Sequence, residues 1–174
     1  MALSTDQRVV LAGMAGAAGT ALAVVWASGA LGIPAPPEAP TAGDRLAFAL
    51  RCDLFAALAL FAGIAAVARY RFFENEIDGT LAPRAHRLDV HRAYIQNTLE
   101  QLALLLVAHL AFAASQPAER LRLLPVLVGL FLLGRAAFWL GYLHSAPARA
   151  FGFALTFYPT AVLLVYDALR IGSR

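Results

Sequence analysis

Five long apolar runs, separated by short polar segments, set the pattern of this chain. They cover roughly residues 9–32, 46–68, 93–114, 123–143 and 150–169. A helix needs about 20 mostly apolar residues to cross the hydrocarbon core of a bilayer, and each run reaches that length. The pattern therefore predicts an all-α integral membrane protein with five spanning helices.

The polar segments between the runs predict the connections. The proline-rich stretch 33–44 cannot continue a helix, so it is expected to be a loop. The segment from Phe72 to Arg92 is the longest and most highly charged, and it is also predicted to be a loop. Residues 115–120 and 144–149 are short polar turns. Pro159, inside the last run, predicts a kink.

The first helix is expected to be retained in the membrane. A cleavable signal peptide is the alternative, but its apolar region is usually only about 7–15 residues long. We therefore divide the chain into residues 1–45, with the first helix and the proline-rich loop, and residues 46–174, with the other four helices. No internal repeat is evident.

Composition supports a membrane protein and excludes several other classes. Of the 174 residues, 60% are hydrophobic and only 14% are charged, whereas a soluble domain has about 25% charged residues. The single cysteine, Cys52, excludes an intramolecular disulfide framework. All 14 basic residues are arginine and the net charge is +3, which suits anionic lipid or a small anionic ligand. No interleaved basic and aromatic surface indicates nucleic-acid binding.

The loop arginines predict an orientation. If the loops alternate sides, one side holds Arg8, Arg69, Arg71, Arg84, Arg87, Arg92 and Arg149. The other side holds Arg45, Arg120, Arg122, Arg170 and Arg174. The positive-inside rule places the first set in the cytoplasm. We expect a bacterial inner-membrane protein with its site facing the cytoplasm.

Polar residues enter the third and fourth helices from the same side. Tyr94, Asn97 and Glu100 are spaced by three, so they are expected to form one stripe. At 1.5 Å per residue, Glu100 lies about 12 Å along the third helix from Arg92, and Arg135 lies about 13 Å along the fourth from its end. The two helices run in opposite directions. We therefore expect Glu100 and Arg135 to lie at similar depth and to pair.

Further polar groups are expected at the same end of the bundle. Tyr142 continues the stripe of Arg135, Arg149 begins the fifth helix, and Arg69 and Arg71 end the second. The group is either a binding site for an anionic, amphipathic molecule or a structural charge cluster. The exposed arginines also serve as topology determinants.

Two other charged positions lie toward the opposite end. Arg51 and Asp53 are expected to form an interfacial pair there, and His109 is expected to be a satisfied interhelical residue. No His/Glu spacing indicates a metal site, and no glycine-rich loop indicates a nucleotide site.

Three motifs together resemble the MAPEG family, the membrane-associated proteins in eicosanoid and glutathione metabolism. They are NTLEQL at 97–102, GRAAFWLGY at 134–142, and Arg149 followed by Gly152 and Phe153. The resemblance covers roughly residues 46–170 and leaves the first helix as an addition. It implies a four-helix bundle that forms a homotrimer, with the co-substrate glutathione held between neighbouring subunits near the cytoplasmic surface.

The resemblance also implies roles for residues. Asn97 and Glu100 would hold the glutathione backbone, with Glu100 accepting from its amine, and Arg149 would lie beside the sulfur as the catalytic residue. Tyr142 and Arg69 or Arg71 would hold carboxylate or peptide groups. The complete predicted glutathione-binding set is Asn97, Glu100, Arg69, Arg71, Arg92, Tyr94, Arg135 and Tyr142.

The family's activities imply a glutathione-dependent transferase or peroxidase that acts on lipophilic electrophiles, with the chain itself, lipophilic small molecules and membrane lipid as partners. The alternative is a non-catalytic member that binds a lipid or another small anionic ligand. Phe138 stands where better-known members have Tyr or His, Ala93 where many have Arg, and Ala150 offers no hydroxyl beside Arg149. A small transporter component is disfavoured, because no helix is broken by a Gly/Pro pair at mid-membrane.

Overall fold

A computed structural model describes residues 3–32, 39–73 and 86–173. Five long helices account for most of these residues. They are α1 (Thr5–Ala30), α2 (Ala42–Phe73), α3 (His86–Ser115), α4 (Leu123–His144) and α5 (Ala150–Gly172). Short 3₁₀ turns at Ala118–Arg122 and Pro147–Arg149 lead into α4 and α5.

The five helices confirm the prediction of five spans, because each is long and apolar enough to cross a membrane. The prediction of a loop from Phe72 to Arg92 is wrong at both ends. Helix α2 continues through Phe73, and α3 begins at His86. Polar residues at the membrane surface extend a helix without changing its hydrogen bonding, so hydropathy marks the apolar span and not the helix end. Residues 74–85, with Arg84, and residues 33–38 lie outside the described ranges, as does Arg174.

Local sequence explains where α1 begins. Ser4 precedes the helix, and its hydroxyl accepts a hydrogen bond from the Gln7 backbone N–H at 3.2 Å. The Gln7 side chain accepts one from the Ser4 N–H at 2.9 Å, which completes a capping box. Helix α5 has Pro147 in the preceding 3₁₀ turn and continues through Pro159. The predicted kink at Pro159 stays a prediction.

Small residues allow the helices to pack closely. Helix α2 packs along α3, α4 along α5, and the additional helix α1 also along α5. Several alanines have no exposed surface at these contacts: Ala17, Ala49, Ala56, Ala108, Ala113 and Ala154. In lipid, where burial between helices gains little hydrophobic energy, such close backbone packing is a main source of association.

The closest approach joins α4 to α5 at two glycines. A β-carbon on Gly134 would lie 2.5 Å from Thr156 Cγ2, and one on Gly152 would overlap the backbone nitrogen of Phe138. A larger residue at Gly152 would require a backbone shift, and one at Gly134 would displace the Thr156 side chain. This contact brings α5 against the face of α4 that carries Arg135.

Candidate functional site

Arg135 is the most deeply buried charge in the bundle, with no exposed surface. Its Nη1 donates to the Asn97 amide oxygen at 2.7 Å, and its Nη2 donates to the Thr156 hydroxyl at 2.6 Å and the Gly152 carbonyl at 3.3 Å. The guanidinium carbon lies 4.8 Å from the centre of the Phe138 ring. Neutral acceptors on α3 and α5 therefore hold the cation of α4, and this contact joins three helices.

The predicted ion pair between Glu100 and Arg135 is wrong within the chain. Glu100 is exposed, and its carboxylate accepts a hydrogen bond from the Gln96 amide at 2.9 Å. Asn97, three residues earlier, takes the position beside Arg135. At 3.6 residues per turn, two positions three apart differ by about 60° around the helix axis. That rotation places Asn97 toward the interior and Glu100 on the outer face of α3.

Tyr94, predicted to bind glutathione, is a buried packing residue. Its hydroxyl donates to the Ala59 carbonyl on α2 at 2.9 Å. Its ring stacks on Trp139 of α4 with 4.3 Å between the ring centres. Trp139 in turn contacts α3, since its indole nitrogen donates to His91 Nδ1 at 3.0 Å. These contacts leave the Tyr94 hydroxyl paired with the protein itself.

Arg149 and Tyr142 of the predicted site lie side by side. Both side chains are half-buried, and the Arg149 guanidinium lies 4.4 Å from the centre of the Tyr142 ring. That distance is well inside the range of a cation–π contact. With the residues that the structure describes, Arg149 makes neither an ion pair nor a hydrogen bond. The cation therefore has donors available at the end of the bundle.

The remaining predicted arginines lie at the same end. Arg69 is exposed and lies 6.0 Å from the Phe73 ring centre, while Arg71 and Arg92 are half-buried. Two contacts between each pair of helices show that neighbouring helices run antiparallel. They are Tyr94 with Ala59 and His109 with Asp53 for α3 and α2, Asn97 with Arg135 and His91 with Trp139 for α3 and α4, and Gly134 with Thr156 and Phe138 with Gly152 for α4 and α5. The ends of α2 and α4 and the beginnings of α3 and α5 consequently share one end, as predicted. We call this end, with Arg69, Arg71, Arg92, Tyr142 and Arg149, the arginine-rich mouth.

Sequence reasoning missed Thr156 and Gly152, the partners of Arg135 on α5. A signal for Thr156 was present in the sequence. It lies seven residues after Arg149, which is about 10.5 Å along the helix, close to the depth of Arg135. A hydroxyl at matching depth on a neighbouring helix is a candidate acceptor for a buried guanidinium.

The opposite end of the bundle contains a second buried polar pair. Asp53 on α2 and His109 on α3 are 2% and 1% exposed, and their Oδ1 and Nδ1 atoms lie 2.5 Å apart. This confirms that His109 is a satisfied interhelical residue. The predicted pair of Arg51 with Asp53 is wrong, since Arg51 is exposed. Neighbours two apart on a helix differ by about 160° around its axis, so they point to opposite faces.

Metal ligation has no candidate within residues 3–32, 39–73 and 86–173. No group of three or more His, Cys, Asp or Glu side chains in these ranges is arranged to hold an ion. The polar groups at the arginine-rich mouth are instead guanidinium and phenol groups, which suit an anionic organic molecule.

These features define an all-helical integral membrane protein with a buried arginine node and a polar mouth at one end. The chain belongs to the MAPEG family: the model of that family matches residues 48–169. The match covers the four helices α2 to α5 and leaves α1 outside. The expected family and membrane-spanning helical fold are thereby confirmed.

Two mammalian proteins are similar to the chain. Transmembrane protein 79 of Mus musculus and Transmembrane protein 79 of Bos taurus are each 32% identical over 132 residues. Each match covers 75% of this chain but only 33% of the relative. The similarity therefore spans about a third of the length of these relatives, and their name states no reaction. No solved structure matches the chain.

Proposed function

We propose that the protein is a glutathione-dependent membrane enzyme of the transferase or peroxidase type, acting on lipophilic electrophiles. The observation that carries this proposal is the guanidinium of Arg149, which is stacked on Tyr142 at the arginine-rich mouth and has no hydrogen-bond or ion-pair partner among the described residues. Glutathione has carboxylates, an amine and a thiol. The mouth offers arginine cations for the carboxylates of glutathione, and Glu100 offers a carboxylate for its amine.

The chemistry assigned to Arg149 is stabilisation of the glutathione thiolate. A free thiol has a pKa of about 8.5 and reacts as its anion. A guanidinium beside the sulfur favours that anion, and the thiol proton leaves to water at the mouth. In conjugation, the thiolate forms a carbon–sulfur bond as the leaving group departs with its electron pair. The bilayer supplies the lipophilic electrophile.

A homotrimer would complete the site. Glu100 and Gln96 lie on the exposed face of α3, together with the large apolar side chains Leu99 and Val107. A carboxylate on an outward face within a membrane favours contact with a neighbouring copy over contact with lipid. A ligand held between two subunits could then reach Glu100 and the arginine-rich mouth together. Bacterial origin and a mouth facing the cytoplasm belong to the same proposal.

The second candidate is a non-catalytic family member that binds a lipid or another small anionic ligand at the mouth. A specific observation favours it. Asn97, Tyr94 and Arg135, all predicted ligands of glutathione, already pair with groups of the protein. These three residues then stabilise the packing of the helices, and the residues at the mouth are left to bind the ligand.

Binding calorimetry on the detergent-purified protein tests the first candidate. We expect saturable glutathione binding that weakens about 10- to 100-fold in Arg149→Ala, because one charge-assisted contact is lost. Arg51→Ala is the matched control, since Arg51 is exposed at the opposite end, and its affinity should be unchanged. Absence of glutathione binding would remove the enzyme candidate. Binding that is equal in Arg149→Ala and the wild type would remove the role of Arg149.

A further inference from the structure

A cavity lies away from the arginine-rich mouth, between α1 and the opposite ends of α4 and α5. It has a volume of about 810 Å³. The residues that line it from α1 include Val25 and Ser28, near the end of that helix. Gly13, near the beginning of α1, contacts Phe151 at the beginning of α5. The cavity is consequently at the end of the bundle opposite to Arg149, and part of its wall is the helix outside the family match.

The walls of this cavity are almost entirely apolar. Leu127 of α4, Leu163 of α5 and Val25 of α1 are among its lining residues. Leu22 and Val162 also line it and are 73% and 69% exposed, so one side is open toward the surrounding lipid. A volume of this size is within the range of about 300–1,000 Å³ that holds small ligands. We call it the α1/α5 groove.

The charged residues that line the groove lie at one end of it. Arg120 and Arg122, in the 3₁₀ turn before α4, line it there and are exposed. Arg120 Nη1 donates to the Tyr166 hydroxyl at 3.0 Å and to the Gln116 amide oxygen at 3.1 Å, which fixes its position. Arg122 makes no hydrogen bond or ion pair with any described residue, and neighbouring Glu119 forms no ion pair with either arginine.

We propose that the α1/α5 groove binds an anionic phospholipid, with one acyl chain along its apolar walls and the phosphate at Arg120 and Arg122. The open side at Leu22 and Val162 lets the second acyl chain remain in the bilayer. Two cations at the end of an apolar channel complement a headgroup of negative charge. This inference does not depend on the glutathione proposal, which concerns the other end of the bundle.

Lipid retention in native mass spectrometry tests this proposal. The protein is placed in nanodiscs of phosphatidylcholine and phosphatidylglycerol with identical acyl chains, then released for mass measurement. We expect phosphatidylglycerol to be retained preferentially. Arg122→Gln should lower that preference about fivefold, because the variant loses the attraction of one interfacial arginine for the anionic headgroup. Arg51→Gln, at another exposed arginine on the same end, should retain the wild-type preference.

A second pair of variants tests the groove itself. Ser28→Trp places a bulky ring at the groove, and the Ser28 hydroxyl donates to the Val25 carbonyl of its own helix. Ala23→Trp is the control, since Ala23 is exposed on α1 and does not line the groove. Loss of retained phosphatidylglycerol in Ser28→Trp alone would support the site.

Three results would overturn the proposal. The first is equal retention of both lipids with no effect of Arg122→Gln. The second is retention of added oleate in place of phosphatidylglycerol, which would assign the groove to a fatty acid. The third is a lower oligomeric mass in Ser28→Trp with unchanged lipid retention, which would show that a second copy of the chain covers the groove.

Discussion

The amide oxygen of Asn97 on α3 accepts a 2.7 Å hydrogen bond from the guanidinium of Arg135 on α4. Arg135 has no exposed surface, and its other hydrogen bonds to described residues go to the hydroxyl and carbonyl groups of α5. A buried cation that has only neutral acceptors depends on each of them. This node links three helices below the mouth and positions the beginning of α5, where Arg149 lies.

Replacing Asn97 should therefore destabilise the bundle. Asn97→Leu leaves one guanidinium donor unpaired in the interior, and we expect a loss of roughly 1–3 kcal/mol in the free energy of unfolding. Denaturation of the detergent-solubilised protein measures it. Asn97→Asp retains the acceptor and should stay close to the wild type. Gln96→Leu, on the exposed face of the same helix, should change stability by less than about 0.5 kcal/mol. Equal stability of Asn97→Leu and the wild type would refute the structural role of the node.

The contact between α4 and α5 should be sensitive to a single methyl group. Gly152→Ala places a β-carbon against the backbone of Phe138, and we expect a destabilisation of about 1–3 kcal/mol. Gly129→Ala is the control within α4, because no described atom beyond the adjacent turns of that helix lies within 4 Å of the added carbon. It should be neutral or stabilising by up to about 1 kcal/mol. Thermal unfolding of both variants decides the matter, and similar behaviour of the two would exclude close packing at Gly152.

The pair of Asp53 and His109 should behave as a buried unit. His109→Leu leaves the Asp53 carboxylate without its partner, and we expect a loss of roughly 3–5 kcal/mol. The double change Asp53→Leu with His109→Leu removes both polar groups and should recover most of that loss. Chemical denaturation gives the double-mutant cycle. Arg51→Gln, whose side chain is exposed, should leave stability unchanged. Additive effects of the two single changes would show that the residues do not interact.

A variant at Glu100 distinguishes a structural role of this residue from a role in glutathione binding. It is exposed, and its carboxylate hydrogen-bonds to Gln96 alone among the described residues, so Glu100→Gln should change the free energy of unfolding by less than about 0.5 kcal/mol. If the glutathione amine contacts this carboxylate, the same variant should bind glutathione about tenfold more weakly or worse. Calorimetry and denaturation on one preparation test both statements. Unfolding of Glu100→Gln with unchanged affinity per folded molecule would assign Glu100 a structural role instead.

Hydropathy and helix rise predicted the depth of each polar group along the bundle. Asn97 and Arg135 do lie at the same level, and the mouth residues do share one end. Rotation around each helix axis was harder to predict, because Asn97 and Glu100 are both compatible with a stripe that begins at Tyr94. Only contacts with α4 and α5 decide which of them faces inward.

The sequence also could not show which polar side chains are already hydrogen-bonded within the protein. Tyr94 has the residue type and position of a ligand contact, but the carbonyl of Ala59 on another helix occupies its hydroxyl. Asp53 likewise pairs across 56 positions with His109 and not with nearby Arg51. Such partners depend on tertiary packing, whereas sequence spacing reports only neighbours on the same helix.

The ultraviolet absorbance of the glutathione thiolate tests the central proposal most directly. Difference spectra are recorded as glutathione is added to the purified protein near neutral pH, where the thiol of free glutathione is mostly protonated. We predict a saturable thiolate band in the wild type and in Arg51→Ala, and its loss in Arg149→Ala. A band of equal amplitude in Arg149→Ala, or glutathione binding by the wild type with no band at all, would contradict the assignment of Arg149 as the group that stabilises the thiolate.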